Sequence, residues 1–172
     1  MIKEKIVISD TNIFLDLITS GMLDDFFSLS FDICTTDLVI NEILLSDQKQ
    51  LINHYIDSGQ LKVLSYDGNE FVKILEIKGN CHTNASVPDC SVWYAAKTLG
   101  ARLLTGDSKL RSVVEKDNVK VSGILYIFDN VVEYNIVSPG VAAERLEALM
   151  NINKRLPSGE CMKRIDLWRV ES

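Results

Sequence analysis

The sequence predicts an α/β domain with a mainly parallel sheet of five strands, and three observations carry that reading. Short, continuously apolar runs recur along the chain, each closing on a polar turn, as expected of strands buried on both faces. Segments with helical spacing separate those runs, so strand and helix alternate. The chain has 172 residues, 47% of them hydrophobic, enough for one domain with a sizeable core.

The elements follow in order. Ile6, Val7 and Ile8 form the first run, which ends at Ser9-Asp10. Thr11 and Asn12 open a helical stretch from Ile13 to Ile18 that Gly21 ends. Leu23 to Leu29 reads as a short helix and Phe31 to Thr35 as the second strand. Thr36 is placed to cap a helix running to about Leu45, and Asp47 to cap the next, through Ile56, with Gly59 after its end. Leu61 to Leu64 is the third strand, Tyr66 to Asn69 a turn, and Glu70 to Lys78 a helix stopped by Gly79.

Residues 79–87 are polar and read as a loop. Ser86 and Asp89 then make an S-x-x-D start, with Pro88 in the first turn of a helix that runs to Leu99 and Gly100. Arg102 to Thr105 is the fourth strand, Asp107 to Lys116 a helix and Val119 to Val121 the fifth strand. Gly123 to Tyr134 and Ser138 to Met150 are helical by period, and Pro157 opens a last helix, Ser158 to Val170.

Composition narrows the function classes. The net charge is −6, with 13 basic and 21 acidic side chains in residues 1–150 but five basic and three acidic in residues 151–172. An acidic body disfavours broad, nonspecific nucleic-acid binding and leaves the tail as the segment that leans basic. No apolar run reaches the length of a membrane span, and the charged start MIKEKIVISD lacks a signal-peptide pattern, so a cytoplasmic protein is expected. Cys34, Cys81, Cys90 and Cys161 form no C-x-x-C pair, and with only His54 and His82 available a zinc site is not expected. The glycine-rich phosphate motifs are absent.

Four acids stand where apolar residues or caps would be expected: Asp10, Glu42, Asp89 and Asp107. Asp10 follows the first strand, at the edge where doubly wound sheets bind ligands, although it also suits a helix cap. Glu42 shares a helical stripe with Leu38 and Leu45, and a Glu on an apolar stripe needs a partner. Asp89 lies on the face of Val92, Trp93 and Ala96, at its rim, where the helix dipole alone would favour an acid. Asp107 follows the fourth strand through Thr105-Gly106 and can cap the next helix while keeping lone pairs free. Each acid alone is ordinary. Two at strand ends and two on adjoining helices can surround one cleft, and hard oxygen donors with few histidines suit Mg²⁺ or Mn²⁺.

The chain resembles the PIN-domain family over roughly residues 5–135. The motifs are ISDTNIFLDL, the helix with NEI, PDCSVWYAAKTLGARLLTGD and the following SKLRSVVEKDNVKVSGIL. The resemblance implies a three-layer α/β/α fold with helices on both faces of the sheet and a metal-dependent ribonuclease acting on single-stranded RNA. Many bacterial relatives are toxins silenced by a small antitoxin. Carried over, Asp10, Glu42, Asp89 and Asp107 are the catalytic and metal-binding quartet, with Asn12 and Thr105 as supporting polar groups. Residues 1–136 are then the catalytic unit and 137–172 a helical extension packed on it. NKRLPSGE has no counterpart in the family's motif.

Lys109 and Arg111 are candidates for phosphate contact, against the plainer reading of two solvated residues. A non-catalytic protein- or RNA-binding module is the competing class, marked by loss of one or more acids, and none is lost. A haloacid-dehalogenase-type phosphatase needs a second acid two residues after the first, where this chain has Asn12. Asp24, Asp25 and Asp117 read as surface positions, while Asp16 and Asp129 lie near apolar residues and leave a supporting role open. Leu146, Leu149 and Met150, with Trp168, suggest a dimer or antitoxin surface.

Overall fold

A computed structural model describes residues 6–172. The charged lead at residues 1–5 lies outside them. Five strands form one parallel sheet: β1 (Ile6–Ser9), β2 (Asp32–Thr36), β3 (Leu61–Leu64), β4 (Arg102–Leu104) and β5 (Val121–Ser122), in the order β3-β2-β1-β4-β5. Among the described residues ten helices accompany them: α1 (Thr11–Ser20), α2 (Leu23–Ser28), α3 (Asp37–Glu42), α4 (Ser46–Asp57), α5 (Gly68–Asn80), α6 (Val87–Leu99), α7 (Ser108–Lys116), α8 (Ile124–Glu133), α9 (Pro139–Ile152) and α10 (Ser158–Val170).

The apolar runs form the central strands for the reason expected. Val7, Ile8, Leu103 and Leu104 are fully buried, because helices cover the sheet on both sides. α6 lies against β1, β2 and β4, with α5 outside it; α1, α2, α8 and α9 pack together in the opposite layer. Strand order reverses beside β1: the chain leaves it for β2 on one side, and β4 pairs on the other. That reversal opens a crevice at the carboxyl ends of β1 and β4. The register there is explicit, with Ser9 opposite Leu104 and the Asp10 amide donating to the Leu104 carbonyl at 3.0 Å.

Local signals hold in several places. Gly21 and Gly100 take left-handed conformations at the ends of α1 and α6, where a side chain would be strained. The Ser86–Asp89 capping box forms in both directions. Several boundaries differ from expectation, and Asp47 lies in the first turn of α4 instead of capping it. The helix from Thr36 stops at Glu42, not Leu45; Leu44 and Leu45 are exposed, and Leu45 is the N-cap position of α4. α5 runs through Gly79 to Asn80, since a helix tolerates one glycine at a modest cost. β5 begins at Val121, two residues later than predicted, after a left-handed Asn118.

The two C-terminal helices complete the core. Leu146, Leu149 and Trp168 are buried, and the Trp168 ring stacks on Phe128 of α8 with centroids 6.4 Å apart. The apolar face expected to meet a partner is therefore covered by α10 of the same chain. The three acids read as surface positions all have internal partners: Asp24 accepts from the Tyr55 hydroxyl, Asp25 pairs with Arg145 of α9 at 2.6 Å, and Asp117 accepts from the Trp93 indole and Lys97. Trp168→Ala is expected to remove about 3–5 kcal/mol of unfolding free energy, read as a lowered urea midpoint. A loss under about 1 kcal/mol would mean that the tail is an appendage.

Candidate active site

Asp10 is the centre of the crevice. Its position is set twice: by the β1–β4 ladder through its own amide, and by its role as N-cap of α1. The side chain is only 2% exposed, yet both oxygens are engaged. Oδ1 accepts the Thr11 amide at 2.8 Å and Oδ2 accepts the Thr105 hydroxyl at 2.8 Å. Thr105, itself buried, accepts the Asp107 amide at 3.2 Å. One hydroxyl thus joins the acid after β1 to the acid after β4.

The other two acids reach the same crevice from adjoining helices. Glu42 is the last residue of α3, and its Oε2 accepts the Thr11 hydroxyl at 2.5 Å. Asp89 is half-buried in the first turn of α6, where Oδ2 accepts the Ser86 amide at 2.8 Å. A buried relay fixes these two helices to each other. Ser91 donates to the Pro88 carbonyl at 2.6 Å, which leaves the Thr36 hydroxyl to donate to Ser91 at 2.7 Å, while Thr36 accepts the Val39 amide. The expectation that Glu42 lies on an apolar stripe is corrected: the helix ends there, and Glu42 is exposed and oriented by Thr11 instead.

Capping occupies one oxygen of Asp89 and one of Asp107, whose Oδ1 accepts the Lys109 and Leu110 amides. The second oxygen of each has no hydrogen-bond partner among the described residues and is not buried. Both acids therefore act as caps and still present an open acceptor, as a single carboxylate allows.

Electrostatics single out Asp10. Its pKa is raised from the ordinary 3.8 to about 6, first by burial and then by the negative charge of Asp89, with a smaller push from Glu42; the hydrogen bonds from Thr105 and Thr11 pull the other way. A buried acid loaded by two like charges, with no basic side chain among the causes, is what a cation would relieve. Among the described residues no three His, Cys, Asp or Glu side chains gather closely enough to hold an ion alone. The donor set still suits Mg²⁺ or a similar hard ion, which is commonly held by one or two carboxylates and keeps several waters. Asp10 with Asp107 or Asp89 supplies that number.

Of the supporting residues, Thr105 sits in the cluster, while Asn12 is exposed on the first turn of α1 beside Gly106. Lys109 is exposed on α7, and Arg111 lies against Gly123, its Nη2 placed 3.5 Å from where a Cβ would stand. Sequence reasoning passed over Thr11 as a site residue, although the hydroxyl that follows Asp10 orients Glu42. It also passed over Ser91. Its only sequence signal was a polar side chain in the otherwise apolar stretch of α6.

The profile of the PIN domain matches residues 6–169. The chain belongs to the PIN-domain family. A relative, Endoribonuclease Nob1 of Methanocaldococcus jannaschii, is 32% identical over 92 residues, covering 54% of this chain and 46% of that protein. The match thus spans less than half of that relative's length. Among solved structures, PAE2754 from Pyrobaculum aerophilum superposes with a TM-score of 0.52 at 17% identity, over 75% of this PIN-domain chain and 98% of the other. FitAcB from Neisseria gonorrhoeae gives a TM-score of 0.45 at 14% identity, over 67% and 95%. The first of these agrees with the three-layer fold. No helix among the described residues is long and apolar enough to cross a membrane.

The raised pKa of Asp10 has a signed consequence. The folded state holds this proton more tightly than the unfolded chain, so its contribution to stability is full below pH 3.8 and is lost as pH rises through about 6. In metal-free buffer Asp10→Asn is therefore expected to be more stable than wild type at pH 7 and above, by up to about 3 kcal/mol, and the two should converge towards pH 4. Thermal unfolding of both across that range checks it. Equal stabilities at pH 8 would mean that the site does not strain Asp10.

Proposed function

We propose that this protein is a metal-dependent endoribonuclease that cleaves single-stranded RNA. The observation that supports the reading is Asp10, buried under the charge of Asp89 and Glu42 and linked through Thr105 to Asp107. Membership of the PIN-domain family supports it, and so does the likeness to an endoribonuclease over 92 residues. A divalent ion bound there, Mg²⁺ or Mn²⁺, would neutralise charge on the scissile phosphate and supply a water of lowered pKa.

The chain's own residues set the geometry. Asp10 is held by donors on both oxygens, so its remaining lone pairs point in fixed directions. Thr105 keeps Asp10 and Asp107 in one arrangement. Glu42, exposed and held by Thr11, and Asp89, with an open oxygen, are the groups able to hold a water or accept its proton. The crevice lies among strand ends and helices, and a single strand is the substrate this reading expects there.

The finer reading is that the protein acts in the cytoplasm as the toxin half of a toxin–antitoxin pair. A short neighbouring reading frame, whose product co-purifies with this chain and silences it, would bear that out.

Labelled single-stranded RNA incubated with Mg²⁺, Mn²⁺ or EDTA tests the activity. Cleavage is expected with either metal and not with EDTA. Asp10→Asn should lose about 100-fold or more, the scale of one positioned catalytic group. Thr105→Val should lose about 10- to 100-fold, as a residue that orients a ligand. A wild-type preparation no more active than Asp10→Asn would sink the enzyme reading, and RNA binding without cleavage would favour a binding module.

A further inference from the structure

A second cleft, of about 770 Å³, adjoins the acidic crevice on the side of Asn12 and Thr105. Its far wall is the connection between α9 and α10, the NKRLPSGE segment, which lies within the residues the family profile matches. The connection is built, not merely draped. Asn153 donates to both oxygens of Asp16 on α1, at 3.1 and 3.0 Å, and its own oxygen accepts the Arg155 amide at 3.0 Å. Arg164 makes two parallel bonds to Asp129 of α8, at 2.7 and 2.8 Å, and a further one to Glu160. Two long-range anchors therefore hold this segment opposite the strand ends.

The anchors also decide the charge of the cleft. Of its acids, Asp129 and Glu160 are paired with Arg164, while Asp16 is held by the neutral Asn153 amide and keeps its charge. Its remaining cations, Arg111 and Arg155, have no acidic partner among the described residues. Arg111 reaches in from α7 over Gly123, beside the Thr105 backbone, and Arg155 stands exposed on the opposite wall. Leu15, Ile152 and Leu156 add apolar lining. In a protein of net charge −6, a cleft with unpaired guanidinium groups at its walls and an apolar lining is a local exception. Its volume lies within the roughly 300–1,000 Å³ of small-molecule sites.

We propose that this cleft holds the nucleotide next to the scissile phosphate of the RNA strand, with its base on the apolar lining and a backbone phosphate between Arg111 and Arg155. This rests on the ribonuclease reading, since it supplies the second half of a strand path that starts at the acids. Guanidinium groups suit the task because they present paired donors to phosphate oxygens and stay charged. The α9–α10 connection is then a substrate-positioning wall, and Arg155 a binding residue outside the acidic quartet.

The test is binding of a fluorescein-labelled oligouridylate, followed by anisotropy in EDTA in the Asp10→Asn background, so that no cleavage intervenes. Arg111→Ala and Arg155→Ala should each weaken affinity by about ten-fold or more. Each should also flatten the plot of log affinity against log salt by about 0.7, the value for one phosphate contact in a single strand. Arg155→Lys should keep that slope, and Lys73→Ala, an exposed cation on α5, should change nothing. An unchanged slope in Arg155→Ala overturns the proposal; Arg155 is exposed, so misfolding is not an alternative. Cleavage by the native protein separates the two readings. Arginine-dependent binding without any cleavage upholds this cleft and ends the nuclease reading. Cleavage with Arg155→Ala at unchanged KM and slope does the reverse.

Discussion

The structure depends on placing a carboxylate, Asp10, at the buried end of a central parallel strand. Burial disfavours the charged form, and two neighbouring acids add to the penalty. The fold offsets it with two local donors, Thr11 and Thr105, and fixes the backbone through the Leu104 carbonyl. Other site features follow from that position. Thr105 must be polar at the end of an otherwise apolar strand, and α1 must start at once so that its amide can reach the carboxylate.

The C-terminal helices serve the same position from the other side. Trp168 and Leu146 close the core behind α8 and α1, while Asn153 and Arg164 fix the α9–α10 connection to acids on those two helices. Asp16 and Asp129 thus have a structural use rather than a place among the candidate ligands. An ion pair such as Arg164–Asp129 adds little to stability when partly exposed, but its two parallel bonds set direction. In this protein direction is what matters, because the segment it orients faces the crevice.

Much of the fold was legible because its signals are local. The apolar runs before Asp10 and Thr105 are short, dense in Ile, Val and Leu, and closed by polar turns, so strands and their ends could be read directly. Gly21, Gly100 and the Ser86–Asp89 box encode their own backbone geometry. Asp10, Asp89 and Asp107 each sit beside such a signal, whereas Glu42 was singled out by an apolar stripe that the structure does not keep. Illegibility began where the deciding contact is distant or where burial does not follow polarity. Leu44 and Leu45 look like core residues and face solvent, so the end of α3 at Glu42 was missed. The partners of Asp16, Asp129 and Thr11 are 137, 35 and 31 residues away in sequence, and no spacing pattern announces them. The α9–α10 connection looked like a spare loop because its meaning lies in what it faces.

The link between Thr105 and Asp10 spans 95 residues of chain, and this bears on how the protein is made. During synthesis β1 emerges first, but the strand that completes its edge and supplies the hydroxyl follows much later. At roughly 5–20 residues per second that delay is on the order of five to twenty seconds. Through that interval Asp10 stays in water as an ordinary acid, without the neighbours that shift its proton affinity. The crevice is therefore completed only after most of the domain has been translated.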